Sequence, residues 1–377
     1  MSTNNPIPEF HLPTKVYFGA GAISSLSLPK GMVLVVRSAS MSGGPLQELY
    51  DIGTKASAEY HVITKSPGEP HSTDINETFA RCPKDIEAVV GIGGGSTLDF
   101  AKALALLYVS GGSIEEYEFG PATITGALPL FLIPTTCGTG SEVTPYCVIN
   151  NSATKRKYTL SHQSLRPVQA AIDPELLKGL PIRTQLATAL DAFTHCLEAL
   201  LHRSGNRLVD PISEAGLRIA WKRIGPTPAG GASQEVRNDL AILSLYGGIS
   251  IAHNRTGLIH TLSVAFAEFC DLPHGLLNAY LTEYALQHNL AGYNGRLATV
   301  ISSMTGRDIA TDAEALAIVS DWLHKSIDTD TADHAFTIVG DQGRIVRRIL
   351  QDKGLSGVSH GIIDEASLNA TVARILS

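Results

Sequence analysis

Short apolar segments alternate with helical segments through the N-terminal half of the chain, and no other feature constrains the fold as strongly. This alternation is typical of a mostly parallel sheet with helices on both faces, because each parallel crossover needs a helix to carry the chain back. We expect strands at residues 32–36, 60–64, 87–92, 129–133 and 168–172, and helices at 45–58, 72–82 and 96–109. The sequence therefore predicts a Rossmann-like α/β domain.

The strand signals stop after Asp173-Pro174, and the later periodic segments have helical spacing. These segments are residues 184–203, 209–223, 234–269, 275–290, 312–327 and 334–352. With 377 residues, of which 44% are hydrophobic, the chain can form two cores. We predict a nucleotide-binding α/β domain at residues 1–180 and an all-helical, metal-binding domain at residues 181–377. The segment Pro226-Thr-Pro-Ala-Gly-Gly is interpreted as a loop between helices.

Three glycines follow the expected strand at 87–92 and open the next helix. Gly93, Gly94 and Gly95 allow the backbone to approach a phosphate, while Ser96 and the free amides of the new helix can donate hydrogen bonds to it. The run is not the spaced Gly-x-Gly-x-x-Gly fingerprint, so a tight strand-to-helix turn without a ligand stays the alternative.

A second polar loop, Pro134-Thr-Thr-Cys-Gly-Thr-Gly-Ser-Glu142, follows another apolar strand. It carries the hydroxyl groups of Thr135, Thr136, Thr139 and Ser141. Two such loops at the ends of strands are typical of the two walls of a nucleotide cleft.

Four side chains of the helical half have the residue types and spacing of a divalent metal site. Asp191 and His195 are one helical turn apart and share a helix face. For this pair alone, a buried aspartate that accepts a hydrogen bond from a histidine is the alternative. His260 lies in an apolar helix and His274 follows Pro273 at a helix start, which favours the metal. Three imidazoles and one carboxylate suit Fe(II), Zn(II), Ni(II) or Co(II).

Five motifs, in order along the chain, resemble those of the iron-containing alcohol dehydrogenases. They are Gly-Gly-Gly-Ser-Thr-x-Asp-x-x-Lys at 93–102, Pro-Thr-Thr-x-Gly-Thr-Gly-Ser-Glu-Val-Thr-Pro at 134–145, Asp-Pro-Glu-Leu at 173–176, Asp-Ala-x-Thr-His-x-x-Glu-Ala at 191–199 and Pro-His-Gly-x-x-Asn-Ala at 273–279. The resemblance implies a fold like that of dehydroquinate synthase: an N-terminal nucleotide-binding α/β domain and a C-terminal helical domain. It also implies that a metal and a nicotinamide meet in the cleft between the domains.

The resemblance also implies roles for single residues. The implied metal ligands, which act in catalysis through the metal, are Asp191, His195, His260 and His274. The implied cofactor contacts are Gly93, Gly94, Gly95 and Ser96 at the pyrophosphate, Asp99 near the nicotinamide, and Thr135, Thr136, Thr139 and Lys157 at phosphate, ribose or base. The metal is expected to be Fe(II) or Zn(II).

Two departures from the family pattern matter. Where many relatives carry an aspartate that selects NAD, this chain has Arg37-Ser38, and an arginine can pair with a 2′-phosphate. We therefore predict NADPH, with NADH as the alternative. The histidine that commonly follows the third ligand by four residues is replaced by Val264. The proton route then falls to water, a ribose hydroxyl or another histidine such as His253.

These features predict reversible hydride transfer between NAD(P)H and a small aldehyde or primary alcohol. Arg255, about one turn before His260, would favour a substrate with an anionic tail, such as phosphonoacetaldehyde reduced to 2-hydroxyethylphosphonate. Simple aliphatic aldehydes, lactaldehyde, succinic semialdehyde and maleylacetate stay open. The alternatives from other classes are a carbon–oxygen lyase of the dehydroquinate synthase type, glycerol-1-phosphate dehydrogenase and a non-catalytic nucleotide-binding module.

Composition restricts the partners and the compartment. A net charge of -7 argues against nucleic acid or an anionic membrane as the main partner. The five cysteines form no Cys-x-x-Cys pair, which favours reduced thiols in the cytoplasm. We find no signal-peptide core and no apolar run long enough to cross a bilayer, and we expect a homodimer because dimers are common in relatives.

Overall fold

The structure is a computed structural model that describes residues 9–41, 43–119, 122–224, 232–331 and 340–377. These residues form two compact units. The first is Leu12–Lys178, and the second is Gly179–Ser377 together with the described residues up to His11. The predicted loop at Pro226 and the start of the helix predicted at 334–352 lie outside the described residues.

The first unit contains a six-stranded sheet in the order β1-β8-β5-β4-β2-β3, and all of its strand pairs are parallel. The predicted parallel sheet is therefore confirmed. The strands are β1 Lys15–Phe18, β2 Gly31–Ser38, β3 Ala58–Lys65, β4 Ile86–Gly93, β5 Leu130–Pro134 and β8 Gln169–Ile172. An antiparallel hairpin that the sequence analysis missed forms beside this sheet from β6 Tyr146–Asn151 and β7 Arg156–Ser161.

Helices cover both faces of this sheet, which is why its central strands are apolar on both sides. Val33 and Val35 of β2 face one core cluster, while Leu34 and Val36 face the other, because successive side chains of a strand alternate between faces. The helices of this unit are α1 Gly44–Ala56, α2 Ser72–Arg81, α3 Gly95–Ser110 and the single turn α4 Glu116–Phe119.

The described residues after Lys178 form helices and loops without strands, as predicted. The long helix α5, Ile182–Leu201, packs against three others: α6 Asp210–Arg223, α7 Gln234–Asn254 and α9 His274–Tyr293. The remaining helices are α8 Leu258–Phe266, α10 Arg296–Thr305, α11 Asp312–Thr331, α12 Gln342–Leu350, α13 Leu355–Val358 and α14 Glu365–Leu376. Of these, α10, α13 and α14 were not predicted. Within the described residues, no helix has the length and apolar character needed to cross a bilayer.

The prediction of one continuous helix at 234–269 is wrong, because the chain breaks between α7 and α8. Arg255 ends α7 with a φ of 43°, and Gly257 precedes the first residue of α8. The backbone amides of Gly257 and Ile259, which a continuous helix would use internally, donate instead to the carboxylate of Glu198 on α5. The break is therefore fixed by a side chain from another helix, which periodicity cannot show.

Candidate metal and nucleotide sites

Four side chains of the helical unit converge on one point from three helices. Asp191 and His195 lie one turn apart on α5, His260 lies in the first turn of α8, and His274 is the first residue of α9. The Nε2 atoms of His195, His260 and His274 lie 3.7, 3.5 and 3.8 Å from the same atom, Oδ1 of Asp191. The structure thus brings together all four predicted metal ligands.

These spacings fit a single ion. Ligands about 2.0–2.2 Å from a tetrahedral metal are roughly 3.3–3.6 Å from one another, so the observed distances need little adjustment. One donor atom each of Asp191, His195 and His260 lies within 4.8 Å of the other two, and this is the metal-type group found among the described residues. His274 is the most exposed of the four, since 32% of its side chain is accessible.

The charges of the cluster also favour a bound cation. Burial acts to raise the pKa of Asp191, but the three neighbouring imidazoles outweigh it and keep that pKa well below its ordinary value. Burial likewise acts to lower the pKa of His260, but Glu198 and Asp191 outweigh it and raise the pKa to about 9. The buried carboxylate of Asp191 therefore stays ionised, which is the form that binds a cation.

Asn278, which the sequence analysis did not single out, lies among the ligand atoms. Its Nδ2 is 2.9 Å from Oδ1 of Asp191, 3.1 Å from Nε2 of His260 and 3.3 Å from Nε2 of His274. Its Oδ1 is buried with no hydrogen-bond partner among the described residues. An amide nitrogen has two hydrogens, so it cannot serve three acceptors at once. The hydrogen-bonding groups of Asn278 are therefore not matched by the residues around it, which is expected at a site arranged to hold an ion.

Two further side chains contact the Nδ1 atoms of His260 and His274, on the side of each ring away from Asp191. Oε2 of Glu198 accepts a hydrogen bond of 2.7 Å from Nδ1 of His260, and the hydroxyl of Ser263 lies 3.0 Å from Nδ1 of His274. Outer partners of this kind orient metal-bound histidines. Glu198 belongs to the helix-face pattern Asp191-x-x-x-His195-x-x-Glu198, so the sequence carried a signal that was quoted but not used.

The structure does not support the roles predicted for His253 and Arg255. Nδ1 of His253 is 2.7 Å from the carbonyl oxygen of Ile249, and Nε2 accepts a hydrogen bond from the backbone amide of His11. Both ring nitrogens are engaged, so His253 is not retained as a proton relay. Nη2 of Arg255 lies 2.9 Å from both carboxylate oxygens of Asp352, so its charge is already balanced by this chain.

In the first unit, the glycine loop joins β4 to α3 and packs against the second polar loop. The backbone amide of Thr135 donates to the carbonyl of Gly93 over 2.9 Å. A Cβ atom on Gly94 would lie 3.2 Å from Cγ2 of Thr136, and one on Gly95 would overlap the side chain of Thr139. The two predicted phosphate loops are thus in contact, and the glycines make that contact sterically feasible.

The other predicted cofactor residues fall into three groups. The first group is half-buried, so a ligand can reach it: Gly94, Ser96, Thr136 and Thr139. The second group is buried and consists of Gly93, Gly95 and Thr135. Lys157 makes a 2.6 Å ion pair with Glu69.

Asp99 is turned into the interior of the unit. Its Oδ1 accepts a 2.7 Å hydrogen bond from the Ser141 hydroxyl, and its Oδ2 accepts a 3.0 Å bond from the backbone amide of Val148. The carboxylate therefore joins α3 to the second loop and to β6. These hydrogen bonds give Asp99 a structural role, and its place near the nicotinamide stays a prediction.

Arg37 lies next to the glycine loop. It is paired with Ile92, the last residue before the glycines, because β2 and β4 are neighbours in the sheet. Its Nε donates to the Thr64 hydroxyl over 3.0 Å and its Nη1 to the Met41 carbonyl over 2.8 Å, so the guanidinium is anchored at the carboxyl end of the strands. The adjacent Ser38 is half-buried and contacts the hydroxyl of Ser40.

Comparisons with known proteins agree with this arrangement. Residues 13–174 match the family described as iron-containing alcohol dehydrogenase, and residues 185–333 match the Fe-containing alcohol dehydrogenase family, C-terminal. Alcohol dehydrogenase 4 of Saccharomyces cerevisiae is 30% identical over 295 residues, which cover 75% of this chain and 76% of that protein. NAD-dependent methanol dehydrogenase of Bacillus methanolicus is 27% identical over 318 residues, covering 82% of this chain and 83% of that protein.

The fold is also that of solved structures. A crystal structure of a 1,3-propanediol oxidoreductase superposes with a TM-score of 0.86 at 22% identity, covering 98% of this chain and 100% of that chain. At this level of identity the likeness shows the fold alone.

Proposed function

The chain belongs to the iron-containing alcohol dehydrogenase family, and from this premise we propose that it reduces a small aldehyde to a primary alcohol with NADPH. Membership of the family carries the alcohol dehydrogenase activity, with a divalent metal and a nicotinamide cofactor. The direction of the reaction, the choice of NADPH and the identities of the ligands are the proposal. The observation that carries it is the convergence of three imidazole nitrogens on Oδ1 of Asp191.

The residues that would hold the metal, Fe(II) or Zn(II), are Asp191, His195, His260 and His274. Such a metal supplies Lewis-acid stabilisation of charge on the substrate oxygen. Because Asp191 is the one carboxylate among the four ligands, a bound divalent ion would keep a net positive charge there. Burial of Asp191 and His260 excludes water from this charge and so strengthens its effect.

The nucleotide is proposed to lie on the exposed parts of Gly94 and Ser96 and on the hydroxyls of Thr136 and Thr139. Free amides at the start of α3 favour a phosphate there, because a helix N-terminus carries partial positive charge. Arg37, next to this loop, supports NADPH over NADH, since a guanidinium pairs with the additional phosphate.

The proton that completes alcohol formation is proposed to come from water. Val264 replaces the relay histidine of the relatives, and His253 is fully engaged in hydrogen bonds of its own. Water reaches the cluster most directly at His274, whose side chain is the most accessible of the four.

The substrate is proposed to be a small aldehyde without an obligatory anionic group. The expectation of phosphonoacetaldehyde depended on Arg255, and the charge of Arg255 is balanced by Asp352. The name of one relative refers to methanol, which supports small alcohols as the product class.

An assay of nicotinamide oxidation tests this proposal. Neutral aliphatic aldehydes, lactaldehyde, succinic semialdehyde and phosphonoacetaldehyde are each supplied with NADPH and with NADH. We expect faster loss of NADPH with a neutral aldehyde, abolished by a chelator and restored by Fe(II) or Zn(II). Turnover of a heptulosonate phosphate with no aldehyde-dependent oxidation would instead support a lyase of the dehydroquinate synthase type. Absence of both reactions would support a non-catalytic nucleotide-binding module.

A cytoplasmic homodimer completes the proposal. The five cysteines are thiols and not disulfides, and four of them are buried, which suits a reducing compartment. Light scattering during size-exclusion chromatography would measure the mass, and a monomer at micromolar concentration would contradict the dimer.

A further inference from the structure

We propose that Glu198 is a positioning residue that fixes the imidazole of His260 for metal binding and also sets the start of helix α8. This inference rests on the proposed metal site. It concerns a residue that lies outside the ligand set and acts through His260. Glu198 is buried near the middle of the helical unit, with 7% of its surface exposed.

The carboxylate of Glu198 accepts three hydrogen bonds from a single segment of chain. Oε1 accepts from the backbone amide of Ile259 over 2.6 Å. Oε2 accepts from the backbone amide of Gly257 over 2.9 Å and from Nδ1 of His260 over 2.7 Å. Three donors compensate the cost of burying the carboxylate.

The hydrogen bond to Nδ1 selects one tautomer of His260. Both oxygens of Glu198 already accept from backbone amides, so in the contact with His260 the ring is the donor and carries its hydrogen on Nδ1. Nε2 is then the nitrogen available to a metal, and it lies 3.5 Å from Oδ1 of Asp191. The hydrogen bond from Nδ1 thus reserves Nε2 for the ion, which displaces any hydrogen there when it binds.

The two backbone hydrogen bonds explain why α8 begins at Leu258. The residue before it, Gly257, has no side chain with which to cap the helix, and the first amides of a helix have no partner within it. Glu198 supplies the missing acceptor and a negative charge at the positive end of the helix. Because His260 is in the first turn of α8, the position of the helix and the orientation of the ring depend on the same carboxylate.

Ser263 provides a matched comparison. Its hydroxyl lies 3.0 Å from Nδ1 of His274 and is also fully buried. A hydroxyl can either donate or accept, so it does not impose a tautomer. Removal of Ser263 therefore takes away a contact to a ligand without removing the tautomer selection that we assign to Glu198.

The test compares Glu198→Gln with Ser263→Ala in the full chain. Glutamine keeps the shape of the side chain, but its amide nitrogen cannot accept a hydrogen bond. Competition with a chelator for Zn(II) measures the metal affinity, and ¹⁵N spectra of the histidines in the metal-free protein, recorded above the pKa of His260 so that the ring is neutral, report its tautomer. We expect Glu198→Gln to lower the affinity for Zn(II) about 10- to 100-fold and to reduce the population with hydrogen on Nδ1. Ser263→Ala is expected to change the affinity less, with the His260 signal unchanged.

Thermal unfolding of the metal-free variants distinguishes positioning from a purely structural role. A variant Glu198→Asp, which retains an acceptor-only carboxylate, should recover the Nδ1 tautomer even where its melting temperature stays low. The proposal is overturned if folded Glu198→Gln binds Zn(II) as tightly as the parent, or if the His260 tautomer is unchanged in it. If the parent protein itself binds no metal, the proposed function fails, whereas the tautomer measurement still decides the role of Glu198.

Discussion

The proposed nucleotide loops of the first unit and the proposed metal cluster of the second would recognise charge in opposite ways. The loops use backbone amides and the absence of side chains, since Gly94 and Gly95 leave room for Thr136 and Thr139. The cluster uses buried side chains whose charges would be costly without an ion. The loop motif is contiguous in the sequence and easily recognised there. The cluster is assembled from three helices, and its histidines also contact Glu198 and Ser263.

Two buried carboxylates make the comparison concrete. Burial raises the pKa of Glu142, in the second loop, to about 7, and neither of its oxygens has a hydrogen-bond partner among the described residues. Asp191 is equally enclosed, yet its imidazole neighbours hold its pKa well below the ordinary value. A buried carboxylate therefore indicates a cation site only where further metal-binding side chains, such as the imidazoles around Asp191, lie next to it.

The largest expected effect is in the metal cluster. Asp191→Ala removes the carboxylate that three imidazole nitrogens share, so metal content and aldehyde reduction should both fall, the activity by more than about 100-fold. Elemental analysis and the nicotinamide assay measure the two quantities. Asp321→Ala, at an exposed aspartate paired with Lys325, is the matched control and should change neither. Full metal content in Asp191→Ala would show that the cluster is not the metal site.

The next effect concerns stability in the first unit and its dependence on pH. Since the pKa of Glu142 is about 7 in the folded protein and about 4.5 when unfolded, the folded state binds the extra proton between these values. The resulting stabilisation is complete below pH 4.5 and is lost as pH rises to 7, with an upper bound of ~3 kcal/mol.

Glu142→Gln should remove this dependence, because its side chain stays neutral. Urea unfolding at pH 5 and pH 8 measures the free energy of unfolding of both proteins. The variant should gain stability relative to the parent at pH 8 and little at pH 5. An identical difference at the two pH values would contradict the raised pKa of Glu142.

A steric change tests the glycine loop. Gly95→Ala places a methyl group against Thr139, and such overpacking costs about 1–3 kcal/mol. We expect a higher KM for NADPH with unchanged metal content, and partial recovery when Thr139→Ala is added. Gly44→Ala, at a helical glycine with open space around it, is the matched control. A fall in metal content in Gly95→Ala would show that the two sites are not separable in this way.

The smallest expected effect is on the choice of cofactor. Arg37→Ala removes a charged hydrogen-bonding group worth roughly 1.5 kcal/mol at the lower end of the usual range, so KM for NADPH should rise about tenfold while KM for NADH stays the same. Steady-state kinetics with both cofactors measure the ratio. Equal increases for the two cofactors would mean that Arg37 supports the strand end rather than reading the 2′-phosphate.

Much of the molecule was predictable because its signals are local. The strands of the parallel sheet are short apolar runs, and the helix spacing of Asp191 and His195 is visible in the sequence itself. What could not be predicted depends on contacts between distant segments. The break before α8 requires Glu198, and the hydrogen bonds of His253 require His11. The charge of Arg255 suggested an anionic substrate, but its ion pair with Asp352 is formed by a distant segment and cannot be read from the sequence.

Residues 9–11, which precede the α/β unit in the sequence, belong to the helical unit. The ring of Phe10 stacks on His253 with the centroids 4.8 Å apart, and the Glu9 carbonyl accepts a hydrogen bond from the side chain of Asn206. A fragment beginning at Gly179 would therefore expose the His253 ring and leave Asn206 without this acceptor. To produce the helical unit by itself, residues 9–11 should be joined to Gly179 through a new linker. A truncation that simply begins at Gly179 removes part of this unit.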